Sequence, residues 1–254
     1  MKISVIVPTL NEAARLPATL NRVRVALPMA ELIVADGGST DATMDIARAN
    51  GAQVIATAGG RGLQLAAGAN AAHGNLLLFL HADTLLPLNA TAVLTRAFAD
   101  RRMQIGTFRL EFDHPGWFLR SCAWLTRFDF VFTRFGDQAI VVRRDFYAEL
   151  GGFPPWMLFE DVELLRRARR RGRVASFPAA VTTSARRFLH RGQFRQQWMN
   201  GWLLVRFLAG LLFDGADLRP GKRLQDLVDG GVLGEAIKFS CRQLALYLSE
   251  RRLA

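Results

Sequence analysis

The first hundred residues repeat one pattern: a short aliphatic and β-branched run ends at a polar turn and gives way to an Ala-rich stretch with apolar residues at helical spacing. Ile3 to Val7 is apolar except at Ser4, as expected of a strand covered on both faces, and Leu16, Leu20, Val23 and Leu27 follow at three- and four-residue intervals. Pro17 suits the first turn of that helix. The second unit predicts a strand from Glu31 to Ala35, a turn at Asp36 to Gly38, a helix restarting near Asp41 and a stop at Gly51. Gln53 to Thr57 predicts a third strand. After the Gly59-Gly60-Arg61-Gly62 loop comes an Ala-rich helix ending near Gly74, and the very apolar strand Leu76 to Leu80 breaks off at His81-Ala82-Asp83.

Beyond residue 100 the pattern loosens. Phe108, Leu110 and Phe112 alternate as in a strand with one buried face, and Gln138 to Val142 reads as another strand, so mixed pairing is expected there. Glu160 to Arg171 has helical spacing at Val162, Leu165 and Ala168 and ends in an Arg cluster before Gly172. The run from Trp198 to Phe213 would span roughly 24 Å as a helix, short of a bilayer. Its aromatics and the flanking Arg195 suit either a packed core helix or one lying in a membrane interface. The expectation is an α/β domain over residues 1–190 followed by a helical appendage over 191–254, which is a candidate for peripheral membrane contact.

Charge adds a partner class. The net charge of +11 comes from 33 Lys plus Arg against 22 Asp plus Glu, and such a surface favours nucleic acid, acidic lipid head groups or a phosphorylated small molecule without choosing among them. The two cysteines, Cys122 and Cys241, have no metal-ligand spacing and offer no disulfide framework, and no leader-like apolar segment opens the sequence. A cytoplasmic protein, in peripheral contact with the inner membrane face if the appendage docks there, is expected.

In an open parallel sheet, ligands bind at the carboxyl ends of the strands. Three polar turns stand there: Pro8-Thr9-Leu10-Asn11-Glu12, Asp36-Gly37-Gly38-Ser39-Thr40-Asp41 and His81-Ala82-Asp83-Thr84. Singly, Asn11 and Asp41 could cap helices and Gly37-Gly38 could form a tight turn. Each residue type also has a chemistry that suits a nucleotide. Carboxylates at Glu12 and Asp36 can accept hydrogen bonds from ribose hydroxyls and a base N–H, and Gly37 and Gly38 allow close backbone approach. Asp83 can hold a hard divalent cation on phosphate oxygens. Glu160 and Asp161 are a carboxylate pair either of which could act as a general base, spacing not separating them, and the pair could instead serve a helix N-terminus. Arg61, Arg186 and Arg187 are candidates for gripping the diphosphate.

In this order and spacing, the motifs resemble the family 2 glycosyltransferases. The likeness covers roughly residues 3–190 and includes Val5 to Glu12, Asp36 to Asp41, Gly68 to Gly74, Phe79 to Asp83, Gly151-Gly152-Phe153 and Glu160-Asp161. It implies a GT-A fold, a Rossmann-like nucleotide-binding half with a mixed central sheet, and an Mn2+ or Mg2+ cofactor. It also implies a nucleotide-sugar donor held by Pro8, Thr9, Glu12, Asp36, Ala82 and Asp83. Of the acidic pair, it makes Asp161 the base, and inversion at the anomeric carbon follows as an expectation. The acceptor would be a hydroxyl on a lipid or small metabolite, and no nucleic acid is expected.

His81 stands where the family usually has a second Asp; imidazole can ligate manganese or point a donor at phosphate, so His81 joins Asp83 as a candidate ligand. Gln193 to Trp198 only loosely resembles the signature of processive synthases, with Gln197 in place of the Arg, and single-sugar transfer is expected. The turn after the first strand lacks the Gly-x-Gly-x-x-Gly of a nicotinamide dehydrogenase. A sugar nucleotidyltransferase and a non-enzymatic binder of anionic membrane or nucleic acid remain as alternatives.

Overall fold

A computed structural model describes residues 1–57, 60–127, 136–156 and 159–186. The chain divides into two units, Met1–Gln193 and Phe194–Ala254, and the second, with the Trp198–Phe213 run, lies outside the described residues.

In chain order the elements are β1 (Ile3–Thr9), α1 (Leu16–Ala26), β2 (Glu31–Asp36), α2 (Thr43–Ala49), β3 (Gln53–Ala56), α3 (Arg61–Ala71), β4 (Leu76–Phe79) and β5 (Thr84–Leu85). Then follow α4 (Ala90–Phe98), β6 (Ile105–Phe112), α5 (Trp117–Leu125), a 3-10 turn (Gly136–Gln138), β7 (Ile140–Arg143), α6 (Arg144–Glu149), α7 (Glu160–Arg171) and β8 (Ala175–Thr183). The strands form one eight-stranded sheet in the order β3-β2-β1-β4-β7-β6-β8-β5. β1 to β4 are parallel, as short βα units require, whereas β7 runs antiparallel to both β4 and β6. The mixed pairing expected beyond residue 100 is thus present, and the architecture is that of a GT-A fold.

β1, β2 and β4 are largely apolar because both of their faces are covered. Val5, Val7, Leu78 and Val34 join Leu16, Leu20, Leu94 and Phe177 in one core, while Ile6, Ile33, Leu77 and Phe79 join Leu65, Phe153 and Leu165 in the other. Neighbouring strand residues point to opposite faces, so an alternating strand would have left one helix layer without a partner.

At the amino end of β2, the Glu31 carboxylate accepts the Ser4 hydroxyl and the His73 amide (2.7 Å) and lies 2.7 Å from His73 Nδ1. Burial favours the neutral acid, but these contacts outweigh it and hold Glu31 at about 2, below the ordinary 4.5. A depressed carboxylate contributes stability above its unfolded pKa and loses it as pH falls through the folded one. Glu31→Gln is therefore expected to be less stable than wild type near neutral pH, with the gap closing between about 4.5 and about 2. Urea denaturation across that range measures it, and a pH-independent gap contradicts it.

Candidate functional site

The carboxyl ends of β1 and β2 lie side by side, with Thr9 opposite Asp36, and the Leu80 amide, just past β4, donates to Ile6 O at 3.0 Å. The three polar turns therefore share one edge, as their positions in sequence predict. The first two are locked together. Asn11, at φ 54°, donates its amide to Ser39 Oγ (2.8 Å) and accepts the Thr40 amide on its side chain (2.9 Å). Asp41 accepts the amides of Ala13 (3.1 Å) and Thr43 (3.0 Å), so it braces the turn and α2 starts two residues later than Asp41. Asn11 likewise joins two loops and caps no helix.

Asp36 differs from the sequence expectation of an open acceptor. It is fully buried, and its carboxylate accepts Thr9 Oγ1 (2.9 Å), the amides of Gly38 (3.0 Å) and Ser39 (2.7 Å), and Ser39 Oγ (2.5 Å). Four donors occupy its lone-pair sites, so Asp36 fixes the loop that forms the cleft wall. Gly37 is also closed: a Cβ there would sit 2.7 Å from Gln64 Nε2. Gly38 does need glycine, at φ +97°. Buried Gln64, which sequence reasoning passed over, donates to Thr9 O (2.6 Å) and Ala35 O (3.1 Å) and ties the two strand ends together. Its one sequence signal is a polar side chain on the apolar face of α3. Pro8 and Thr9 are buried at the end of β1, and Glu12 is 8% exposed, its amide held by Thr43 Oγ1 at 2.8 Å.

On the third turn, Ala82 is buried with its carbonyl accepting Thr19 Oγ1 (2.7 Å), and Asp83 is partly buried. His81 Nδ1 lies 2.9 Å from Asp137 Oδ1. Asp137 went unread because β7 is antiparallel: its amino end, rather than its carboxyl end, adjoins the end of β4, with Ile140 opposite Phe79. A search for polar residues after strands misses one that precedes its strand. A carboxylate on Nδ1 is the arrangement found behind a ligating imidazole, in which the other ring nitrogen, Nε2, is the one left for a ligand. Among the described residues no three His, Cys, Asp or Glu side chains converge as a metal cage. A hard cation completed by phosphate oxygens and water needs fewer protein ligands, and Asp83 with His81 fits that donor set.

The fourth component arrives from α3 and α7. A Cβ on Gly62 would lie 2.2 Å from Pro154 O and 2.7 Å from Trp156 O, so only glycine lets α3 dock against the segment leading into α7. The neighbouring Arg61 thereby pairs with Glu160 and lies 4.0 Å from Asp161. Arg61 was expected as an open fork for diphosphate; the structure instead engages it with acidic side chains. Burial opposes its charge, but Glu160, Asp161 and Asp137 hold the guanidinium firmly protonated. Glu160 is fully buried, one carboxylate oxygen has no hydrogen-bond partner, and burial pushes its pKa up against the pull of Arg61. Asp161 is 5% exposed and accepts the Val162 amide at 2.8 Å. Phe159, just before the pair, is left-handed at φ 62°, a conformation that costs about 1 kcal/mol or more in a bulky residue. Simple helix N-terminal electrostatics would leave such acids solvated, and these are buried.

Gly62→Ala is expected to destabilise the fold by about 1–3 kcal/mol by forcing α3 off the Pro154–Trp156 backbone. An unchanged thermal midpoint contradicts that packing.

β8 runs parallel to β6, so its carboxyl end also reaches the cleft edge, and Arg186 stands exposed three residues past Thr183. Arg187 lies outside the described residues.

A family model described as Glycosyl transferase family 2 matches residues 4–148. A PGL/p-HBAD biosynthesis glycosyltransferase of Mycobacterium bovis is 56% identical over 45 residues, 17% of this chain, and the match spans only 18% of that relative's length. A Mycobacterium tuberculosis protein of the same description matches to the same extent. Among solved structures, S. aureus TarS residues 1–349 has a TM-score of 0.60 at 18% identity, over 73% of this chain and 61% of that one. Glucosyl-3-phosphoglycerate synthase from Mycobacterium tuberculosis, crystallised with Mn2+, uridine diphosphate and phosphoglyceric acid, has a TM-score of 0.54 at 22% identity, over 72% of this chain and 69% of that one.

Proposed function

The chain belongs to glycosyl transferase family 2, and we propose that it moves a single sugar from a nucleotide-sugar donor to an acceptor hydroxyl, with metal assistance and inversion at the anomeric carbon. The observation that supports this reading is the run of contacts from the third turn to the head of α7: His81 lies 2.9 Å from Asp137, and Asp137, Glu160 and Asp161 all act on Arg61.

Thr9, Pro8, Glu12 and the loop braced by Asp36 form the nucleoside wall, with Glu12 supplying the acceptor carboxylate and Asp36 the loop geometry. Asp83, His81 through Nε2, and the turn at Ala82 face the diphosphate. Asp83 and His81 would hold Mn2+ or Mg2+ there, and such a cation would supply charge neutralisation for the diphosphate. Arg186 and Arg187 follow β8 toward the same charge, while Arg61 orients the acidic pair.

Asp161 takes the acceptor hydroxyl proton as the acceptor oxygen bonds to the anomeric carbon. The carbon–oxygen bond to the diphosphate breaks with its electrons leaving on the nucleoside diphosphate. Glu160 is worse placed to meet an acceptor, because it is fully buried and Arg61 occupies one of its oxygens. Attack opposite the departing group inverts the centre. A sugar nucleotidyltransferase fits less well, since its basic loop would have to meet the nucleotide with an Arg61 already committed to Glu160. A purely binding protein would leave the buried acidic pair without a task.

The test is turnover of nucleotide sugars with alcohol acceptors, read as nucleoside diphosphate release and as product stereochemistry by NMR. Inverted product is expected; retained configuration contradicts the single displacement, and absence of release with every donor contradicts the transfer.

A further inference from the structure

Helix α5 carries a surface that the cleft does not use. Trp117 is 72% exposed, Trp124 52% and Leu125 47%, while Leu119, on the opposite side of the helix, is fully buried against the sheet. At about 100° per residue, Trp117, Arg120, Ser121 and Trp124 fall within an arc of about 100°, and Arg127 follows two residues past the end of the helix. Trp117, Arg120, Ser121 and Trp124 line one open depression, and both Arg120 and Arg127 are exposed. The sequence has no acidic residue between Asp113 and Asp129, so nothing on this stretch offsets the two cations, and the chain as a whole carries +11.

We infer that this Trp–Arg face docks the protein on the surface of an anionic lipid bilayer. Indole rings settle at the boundary of head groups and acyl chains, where one edge is wet and the body apolar, and Arg reaches from the same depth to lipid phosphate. Interleaving the two along a helix lying flat matches the layering of a bilayer surface. A protein partner fits less well: nine residues give a helix about 14 Å long, and one face of so short a helix is too small to supply by itself the roughly 800 Å² per side of a stable interface. A nucleic-acid duplex would be gripped through its phosphates and leave Trp117 and Trp124 unstacked, and a single strand, whose bases could stack on them, is the rival that the displacement arm of the test addresses. Among the described residues no helix is long and apolar enough to cross a membrane, so the contact is lateral. β6 runs in the direction of β4, and α5 follows its carboxyl end, so docking holds the catalytic edge toward the bilayer. On the glycosyltransferase reading, this supplies a membrane lipid as the hydroxyl acceptor; the docking itself does not depend on that reading.

The full chain is mixed at low salt with vesicles of phosphatidylcholine alone or with phosphatidylglycerol, and partitioning is followed by sedimentation and by quenching of tryptophan fluorescence with brominated acyl chains. Wild type is expected to bind the phosphatidylglycerol vesicles preferentially. Arg120→Gln with Arg127→Gln is expected to weaken that binding by about 30-fold. Trp117→Phe with Trp124→Phe is expected to remove most of the bromine quenching, and Trp117→Ala with Trp124→Ala to weaken binding about tenfold or more. All these side chains are surface-facing, so folded protein is expected throughout, checked by circular dichroism. The inference is overturned if wild type shows no preference for phosphatidylglycerol or if both Arg and Trp double variants bind as wild type does. It is also overturned if single-stranded DNA displaces the vesicles with no bromine quenching beforehand.

Discussion

Asp161→Asn is expected to lower kcat by about 10²–10⁴ while donor affinity changes by no more than about threefold. The asymmetry follows from the proposed role. A base that accepts a proton as the new bond forms stabilises the transition state, so its loss appears in kcat and hardly in ground-state binding. Asparagine keeps the shape of the side chain and can still accept the Val162 amide at the head of α7, so local structure is retained. Its amide cannot take the proton. Single-turnover kinetics with calorimetric donor binding separates the two effects. Unchanged turnover would move the base to Glu160, whose pKa is raised by burial and whose inner oxygen has no hydrogen-bond partner.

Asp83→Ala is expected to reduce kcat/KM by about 10³-fold and to weaken donor binding as well, since charge neutralisation on the diphosphate serves both the bound donor and its departure. Losing a stabilisation of several kcal/mol corresponds to that factor. The fold is expected to survive, because Asp83 is partly exposed and sits in a turn. His81→Ala is expected to do less harm, because a carboxylate binds a hard cation better than imidazole does. If Asp83→Ala turns over normally, metal assistance at this turn is excluded.

The parallel half of the fold was legible because a strand covered on both faces must be apolar at nearly every position, as in Ile3 to Val7 and Leu76 to Leu80. The turns after those strands are forced onto one edge by parallel topology, and Thr9, Asp36 and Asp83 follow from that alone. What eluded sequence reasoning arrives from elsewhere. Asp137 precedes an antiparallel strand, so it reaches the edge from the side that a strand-end search ignores. Gln64 sits within α3, where its role depends on two carbonyls distant in sequence. The pairing of Arg61 with Glu160 was not legible either: it spans 99 positions and rests on the absence of a Cβ at Gly62. For Asp36, sequence alone could not show that four local donors reach its carboxylate.

The most direct test of the central claim is a calorimetric titration of uridine, guanosine and thymidine diphosphate sugars into wild-type protein, with Mn2+ and with chelator, repeated on Asp83→Ala. The account predicts that at least one donor binds wild type with Mn2+, and that chelation or Asp83→Ala weakens it by about 10²-fold or more. No binding by any donor to wild type, or equal binding with and without both Mn2+ and Asp83, would contradict it.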